Sequence, residues 1–377
     1  MQEINLDTGA TSQWGAAIYA ARRDRLRKLL ARENIDALLV SQAPNRFYLS
    51  GFELHDGQPG ESSGYLLVTQ AGDDWLATDP RYEETAAQLW PRERIFIYKG
   101  GSTATDLARL MNRHCGLAGV ETKDISSFFL AALTEKCKNA PCLVAADGLV
   151  ESLRVIKEPE EITALRKSFS LNHKMLEWVE ENLKKDHFSN LAEKDLAWEI
   201  EKFFREHGAQ ELAFATIAAL GKNAATPHAI PGSHLITPEN LLLIDAGCRV
   251  DNYCSDQTRT FWTGTKPDAR FIETRQLVQD AQQAALDMMR PGVACADVYK
   301  SAREVFAKKS VADAFTHGLG HGVGLQTHEA PSLSPKSRAI LEKGMVVTVE
   351  PGLYYPAWGG IRWEYTVLVE DNGVSIL

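Results

Sequence analysis

No repeat or low-complexity tract appears in the sequence, and we expect neither a signal peptide nor a membrane span; each expected absence removes a class of protein. The first thirty residues have no apolar core behind a basic start; Ala20 to Leu30, alternating Arg22, Arg23, Arg25, Arg27 and Lys28 with Leu26, Leu29 and Leu30, reads as a charged amphipathic helix. Positive charge is in deficit. A net charge of -9 and no basic stripe argue against a nucleic-acid partner, because neutralising phosphates needs clustered Lys and Arg. Cysteine is sparse: Cys115, Cys137, Cys142, Cys248, Cys254 and Cys295 show no CxxC spacing, so we expect reduced thiols and a cytoplasmic setting. What remains is ordinary globular material, 44% hydrophobic and 24% charged over 377 residues, enough for about two domains.

Residues 15 to about 150 alternate helical patterns with short apolar runs such as Ala37–Val40 and Gly64–Val68, which predicts an α/β domain with a largely parallel sheet. The pattern changes at Val155–Glu161, where a linker enters a helix at Pro159. Ile162, Leu165, Phe169, Met175, Leu176 and Val179 then trace one helical face. A second helix is expected from Leu191, capped by Asn190, to about His207, stopping at Gly208; others cover roughly 268–289 and 296–309. The domains expected are 1–155, α/β, and 156–377, α+β with a curved antiparallel sheet.

The chemistry gathers in the second part. Leu241–Gly247 is an apolar run ending in Asp-Ala-Gly, and Asp256, Thr258 and Thr260 alternate after a turn near Asp251–Asn252, so two antiparallel strands could present Asp245 and Asp256 side by side. A surface hairpin with solvated aspartates has the same pattern. Between His317 and Pro331, His317, His321 and His328 are interleaved with glycines, which let backbone approach a bound group while imidazoles ligate metal or move protons. Glu350 and Glu364 sit in β-rich apolar surroundings, where an unpaired charge costs several kcal/mol. Arg362, two residues before Glu364, is an alternative partner to a metal. Four carboxylates and one imidazole in one cavity raise one another's pKa values unless cations neutralise them. A two-metal hydrolytic site is the leading expectation.

In Asp245 and Asp256, HGLGHGVGLQTHE, EPGLYY and IRWE, the chain resembles the metal-dependent pita-bread peptidases, in the branch of Xaa-Pro dipeptidase (prolidase) and Xaa-Pro aminopeptidase (aminopeptidase P). Phe214–Ile217 with Gly221–His228 is similar to that family's substrate-histidine segment, and Asn45–Phe52 and Thr78–Tyr82 resemble its amino-terminal domain. Tyr365 departs from the acidic residue many relatives carry there.

The resemblance implies two divalent metals, Mn²⁺ or Co²⁺, with Zn²⁺ a third option. Asp245 would serve one, His321 and Glu350 the other, and Asp256 and Glu364 both. It implies a bridging hydroxide as nucleophile, His328 stabilising the oxyanion, Glu350 carrying a proton, and His228 and His317 on the substrate side with Tyr354 and Arg362. It further implies a proline-containing peptide as substrate, and a homodimer in which loops around Leu54–Ser63 reach the other active site. The competing expectation is a metal-free relative, a creatinase-like hydrolase or a non-catalytic peptide-binding module. That reading calls for vacant ligand positions, and all five are filled here.

Overall fold

The apolar runs of the first 150 residues become the strands of one sheet. The computed structural model describes residues 14–57, 61–99, 101–137 and 141–377, and the chain divides into two units, Met1–Arg154 and Val155–Leu377. In the first, six strands lie in the order Ile95–Ile97, Trp75–Thr78, Gly64–Thr69, Ala37–Val40, Leu117–Val120 and Cys142–Ala145. Ala37–Val40 is buried at every residue, as a central strand with both faces covered must be. It runs parallel to Leu117–Val120 and antiparallel to Gly64–Thr69, which is antiparallel in turn to Trp75–Thr78. The sheet is thus mixed rather than largely parallel; the short turn from Thr69 to Trp75 dictates one of its antiparallel pairs, since a parallel crossover needs a dozen or more residues.

The basic amphipathic segment lies in the helix Ala16–Glu33, which buries Tyr19, Arg22, Leu26 and Leu30 at helical spacing. Glu121 is a buried carboxylate closing the start of the helix Ala43–Ser50. It accepts from Ser41 N at 2.6 Å, Gln42 N at 2.7 Å and Asn45 Nδ2 at 2.6 Å. Burial nevertheless pushes its pKa up to about 7. Within Leu54–Ser63, residues 58–60 lie outside the described residues. Arg46, wholly buried, holds the two ends of that segment through Glu53 O, Asp56 Oδ1 and Gly64 O.

The second unit opens with the helix Pro159–Lys184, started by a capping box between Glu158 and Glu161. The next helix, Glu193–Glu206, begins two residues later than the expected Leu191. Asn190 takes a left-handed φ of 69°, which turns the chain rather than capping it, and Asp195 reaches back to Ala192 N. Ala269–Met288 and Cys295–Lys308 fall within a residue of expectation. Every strand pairing in this unit is antiparallel. Ile217–Leu220, Leu241–Ala246 and Gln257–Trp262 form one ladder, and Glu329–Leu333, Gly320–Gly322, Val346–Val349, Tyr365–Glu370 and Gly373–Ile376 another. Asp251 and Asn252, with φ of 48° and 68°, make the two-residue turn joining Cys248–Val250 to Tyr253–Cys254. The first two helices pack on one face of the first ladder, and its other face shares a core with the second ladder and the last two helices. Among the described residues no helix is long and apolar enough to cross a membrane.

Candidate active site

Register decides which side chains meet. In the ladder of Leu241–Ala246 with Gln257–Trp262, Thr258 stands opposite Asp245. Asp256, two residues before Thr258, therefore faces the same side as Asp245 on a diagonal. Gly247 permits the close approach this needs, since a Cβ there would lie 2.1 Å from Ser255 O. Glu350 and Glu364 are each the next residue beyond the cross-strand pair Val349 and Tyr365, which carries both to the same end of the second ladder. His321 stands in a three-residue strand between two glycines that admit no side chain: a Cβ on Gly320 would meet Thr348 O at 1.9 Å, and one on Gly322 would meet Ala330 O at 2.2 Å.

All five candidate ligands converge. Asp245, Asp256 and Glu364 each offer a carboxylate oxygen, all within 4.8 Å of one another. His321 Nε2 lies 3.3 Å from Glu350 Oε1 and 3.6 Å from Asp256 Oδ2. Its Nδ1 is 3.1 Å from Gly322 O, a carbonyl that can only accept, so Nδ1 carries a hydrogen and Nε2 is the nitrogen turned towards the carboxylates. Asp245 Oδ1 and Glu364 Oε1 are buried and accept no hydrogen bond within the described residues.

The electrostatics describe a centre short of positive charge. Burial, then the neighbouring carboxylates, holds Asp256 protonated far above the usual range and Glu364 up to about 8; burial also raises Asp245 despite Arg362. Glu350 goes the other way. Burial opposes its charge, but His321, His317 and Arg362 outweigh that and bring it to about 2. His321 is raised, its own burial being overcome by Glu350. Oxygen donors with one imidazole, two of those oxygens buried without partners, fit hard divalent cations.

Arg362 does not pair with Glu364, its neighbour in sequence. Its Nη2 reaches Asp245 Oδ2 at 2.6 Å, Nη1 reaches Tyr354 OH at 2.8 Å and Pro227 O at 3.2 Å, and Nε reaches Thr258 Oγ1 at 2.8 Å. Tyr354 OH is 2.8 Å from His317 Nε2, while His317 Nδ1 is 2.6 Å from Gly318 O. The imidazole must donate to that carbonyl and accept from the phenol, and burial keeps it neutral by lowering its pKa. Arg362, Tyr354 and His317 thus form one directed chain. His317 and Arg362 line the cavity beside the carboxylates, whereas Tyr354 sits behind them.

That cavity has a volume of about 550 Å³ and is also lined by His228 and His328. One wall is apolar: Phe214, Ile217, Pro227, Ala229, Ile230 and Pro231. His328 stacks edge-on to His321, ring centres 4.2 Å apart, and burial followed by His321 lowers its pKa. Several participants carried no signal in the sequence. Thr258 donates to Glu364 Oε2 at 3.0 Å, and Thr348 donates to Glu350 Oε1 at 3.3 Å. Glu193, fully buried at the start of its helix, accepts from Leu220 N, Asn223 Nδ2 and Gly232 N, fixing both ends of the loop that carries His228. Arg259 lies over the rings of Trp363 and Tyr365, 4.6 Å from each, and donates to Glu364 O. Alternating threonines on a strand were the one available hint, for Thr258.

Residues 163–371 match metallopeptidase family M24 and residues 22–156 the creatinase/prolidase N-terminal domain. The chain belongs to metallopeptidase family M24, with a creatinase-type amino-terminal domain ahead of a pita-bread catalytic domain. Among its relatives, it is 30% identical to the Xaa-Pro dipeptidase of Pyrococcus furiosus over 359 residues, 94% of this chain and 97% of that one. Among solved structures it is similar to an Xaa-Pro dipeptidase from Bacillus anthracis (TM-score 0.86, 28% identity, 95% of this chain and 97% of that one). It is also similar to an X-Pro aminopeptidase from Thermotoga maritima (TM-score 0.81, 28% identity, 94% and 97%). The resemblance and fold expected from the motifs are therefore borne out, as is the expectation of a metallopeptidase.

Proposed function

We propose that this metallopeptidase hydrolyses the peptide bond preceding proline, as an Xaa-Pro dipeptidase or Xaa-Pro aminopeptidase, with two divalent cations held by Asp245, Asp256, His321, Glu350 and Glu364. The observation that carries the reading is the pair of buried, unpartnered oxygens, Asp245 Oδ1 and Glu364 Oε1, in a carboxylate cluster at the cavity. Divalent cations bound there supply the positive charge the cluster lacks, polarise a carbonyl and ease deprotonation of water.

The chain's own groups do the rest. His328, neutral near pH 7 because burial lowers its pKa, offers a ring N–H to the carbonyl oxygen as negative charge develops. Glu350 takes up a proton and delivers it to the leaving proline nitrogen. His228 and His317 orient the substrate, and Arg362 with Tyr354 keeps His317 and Asp245 in place. Proline after the scissile bond makes a tertiary amide with no N–H. The apolar wall of Phe214, Ile217, Pro227 and Pro231 suits its pyrrolidine ring, which asks for shape rather than a hydrogen-bond acceptor.

The domain assignment in this reading is 1–155 for the amino-terminal part and 156–377 for the catalytic part, and the assembly is a homodimer. Mn²⁺ or Co²⁺ is the native metal, with Zn²⁺ less suited to an oxygen-rich set. The test is hydrolysis of Xaa-Pro and Xaa-Pro-Yaa peptides by chelator-stripped protein with and without Mn²⁺ or Co²⁺. Metal-dependent cleavage before proline is expected, and an inert protein in excess metal refutes the reading.

A further inference from the structure

Two helices each send one buried carboxamide to the segments that carry the candidate ligands. Gln282, on Ala269–Met288 and 3% exposed, donates both N–H groups of one nitrogen, to Val349 O at 2.7 Å and Trp363 O at 3.0 Å. Val349 and Trp363 are the residues immediately before Glu350 and Glu364. Asn172, on Pro159–Lys184 and fully buried, donates to Ala246 O at 2.8 Å and Ser255 Oγ at 3.1 Å. Ala246 immediately follows Asp245, and Ser255 immediately precedes Asp256. All four carboxylates are therefore flanked by a group held from the helix layer, two by Gln282 and two by Asn172.

We infer that Gln282 and Asn172 are positioning residues for the metal centre. Each is a two-pronged staple that sets the separation of one carboxylate pair. Chemistry favours an amide for this task. Its two N–H bonds are planar and diverge at a fixed angle, so one nitrogen binds two oxygens at a fixed spacing. It is neutral, so it adds no charge to compete with a cation. The oxygen of Asn172 accepts nothing within the described residues, which leaves donation as the polar contribution of that side chain. His321 and Glu350 are linked separately, through Thr348 Oγ1, which accepts from His321 N and donates to Glu350.

The inference rests on the dinuclear reading for its metal consequence but not for its geometry, so two measurements separate them. In calorimetric titration of Mn²⁺ into stripped protein, Gln282→Met is expected to weaken binding 10- to 100-fold, the range typical when a partner that orients a ligand is lost. Val278→Ala, a cavity on the same helix that removes no donor, serves as the stability control and keeps the wild-type affinity. In metal-free protein, hydrogen exchange at Glu350 and Glu364, whose N–H groups bond Leu319 O and Thr258 O, is expected to accelerate in Gln282→Met but not in Val278→Ala. Asn172→Leu repeats both tests independently, whether or not Gln282→Met folds, with exchange read at Cys248 and Ser255, whose N–H groups bond Ser255 Oγ and Cys248 O. Wild-type protein that takes up no Mn²⁺ overturns the metal reading alone and leaves the staples to be judged by exchange. Unchanged exchange in both amide variants, or equal loosening in Val278→Ala, overturns the staples.

Discussion

Replacing Arg362 by Met keeps most of the side-chain volume and removes, among the described residues, the only guanidinium bonded to a carboxylate oxygen of the cluster. Arg362 is 3% exposed and gives hydrogen bonds to Asp245, Tyr354, Thr258 and Pro227 O. Removing one member of a buried ion pair costs about 3–5 kcal/mol, because the other charge stays behind without compensation. The orphaned Pro227 O and Thr258 Oγ1 add to this. Each kcal/mol moves the midpoint by about 2–4 °C in a unit of this size, so the unfolding transition of Val155–Leu377 is expected to fall by roughly 6–20 °C in metal-free protein. With saturating Mn²⁺ the deficit should shrink, because cations on Asp245 replace the lost positive charge. The assay is thermal and urea unfolding of Arg362→Met and wild type, stripped and metal-loaded. A loss below about 1 kcal/mol in the stripped form, or an equal loss in both forms, refutes the argument that the cluster is limited by positive charge.

Two further outcomes follow from the packing and the titration of particular groups. Gly320→Ala sets a Cβ 1.9 Å from Thr348 O, against backbone that cannot swing aside, so His321 should be displaced. Near-UV circular dichroism should show a retained fold while equilibrium dialysis shows Mn²⁺ affinity lowered by more than tenfold. Glu121 gives a pH signature in the amino-terminal unit. Its pKa, raised from 4.5 to about 7 by burial, means the unfolded state releases its proton first as pH rises. The contribution is complete below pH 4.5, is lost between 4.5 and about 7, and totals about 3 kcal/mol. The thermal midpoint of that unit should decline from pH 5 to pH 8 in wild type and much less in Glu121→Gln; parallel profiles contradict the assignment.

The five candidate ligands were legible because each is a charged or imidazole side chain set against glycines or in an apolar strand, a pattern that costs energy unless something answers the charge. Their partners were not. Nearness in sequence pairs Arg362 with Glu364, but a strand ends at Arg362 and the guanidinium turns to Asp245 instead. Tyr354 carries no sign that it lies behind the cavity wall and orders His317. Gln282, Asn172 and Glu193 read as ordinary polar residues on helices, because their meaning arises only where a helix docks on a strand end. The mixed order of the first sheet was hidden likewise: a short apolar run encodes burial but no direction. Asn190 looked like a helix cap, and its left-handed backbone put it to use as a turn.

Because Asp245 lies on the first ladder and Glu364 immediately before a strand of the second, far apart in sequence, the proposed centre cannot assemble piecemeal. A nascent polypeptide emerging from the ribosome would offer at most isolated acidic hairpins until Tyr365–Glu370 was made. Each such fragment holds a cation weakly, since no pair alone supplies enough donors at fixed spacing. Cation binding in the proposed centre is thereby coupled to the folding of both ladders, and a chain cut before Glu364 should bind Mn²⁺ far more weakly than the full chain.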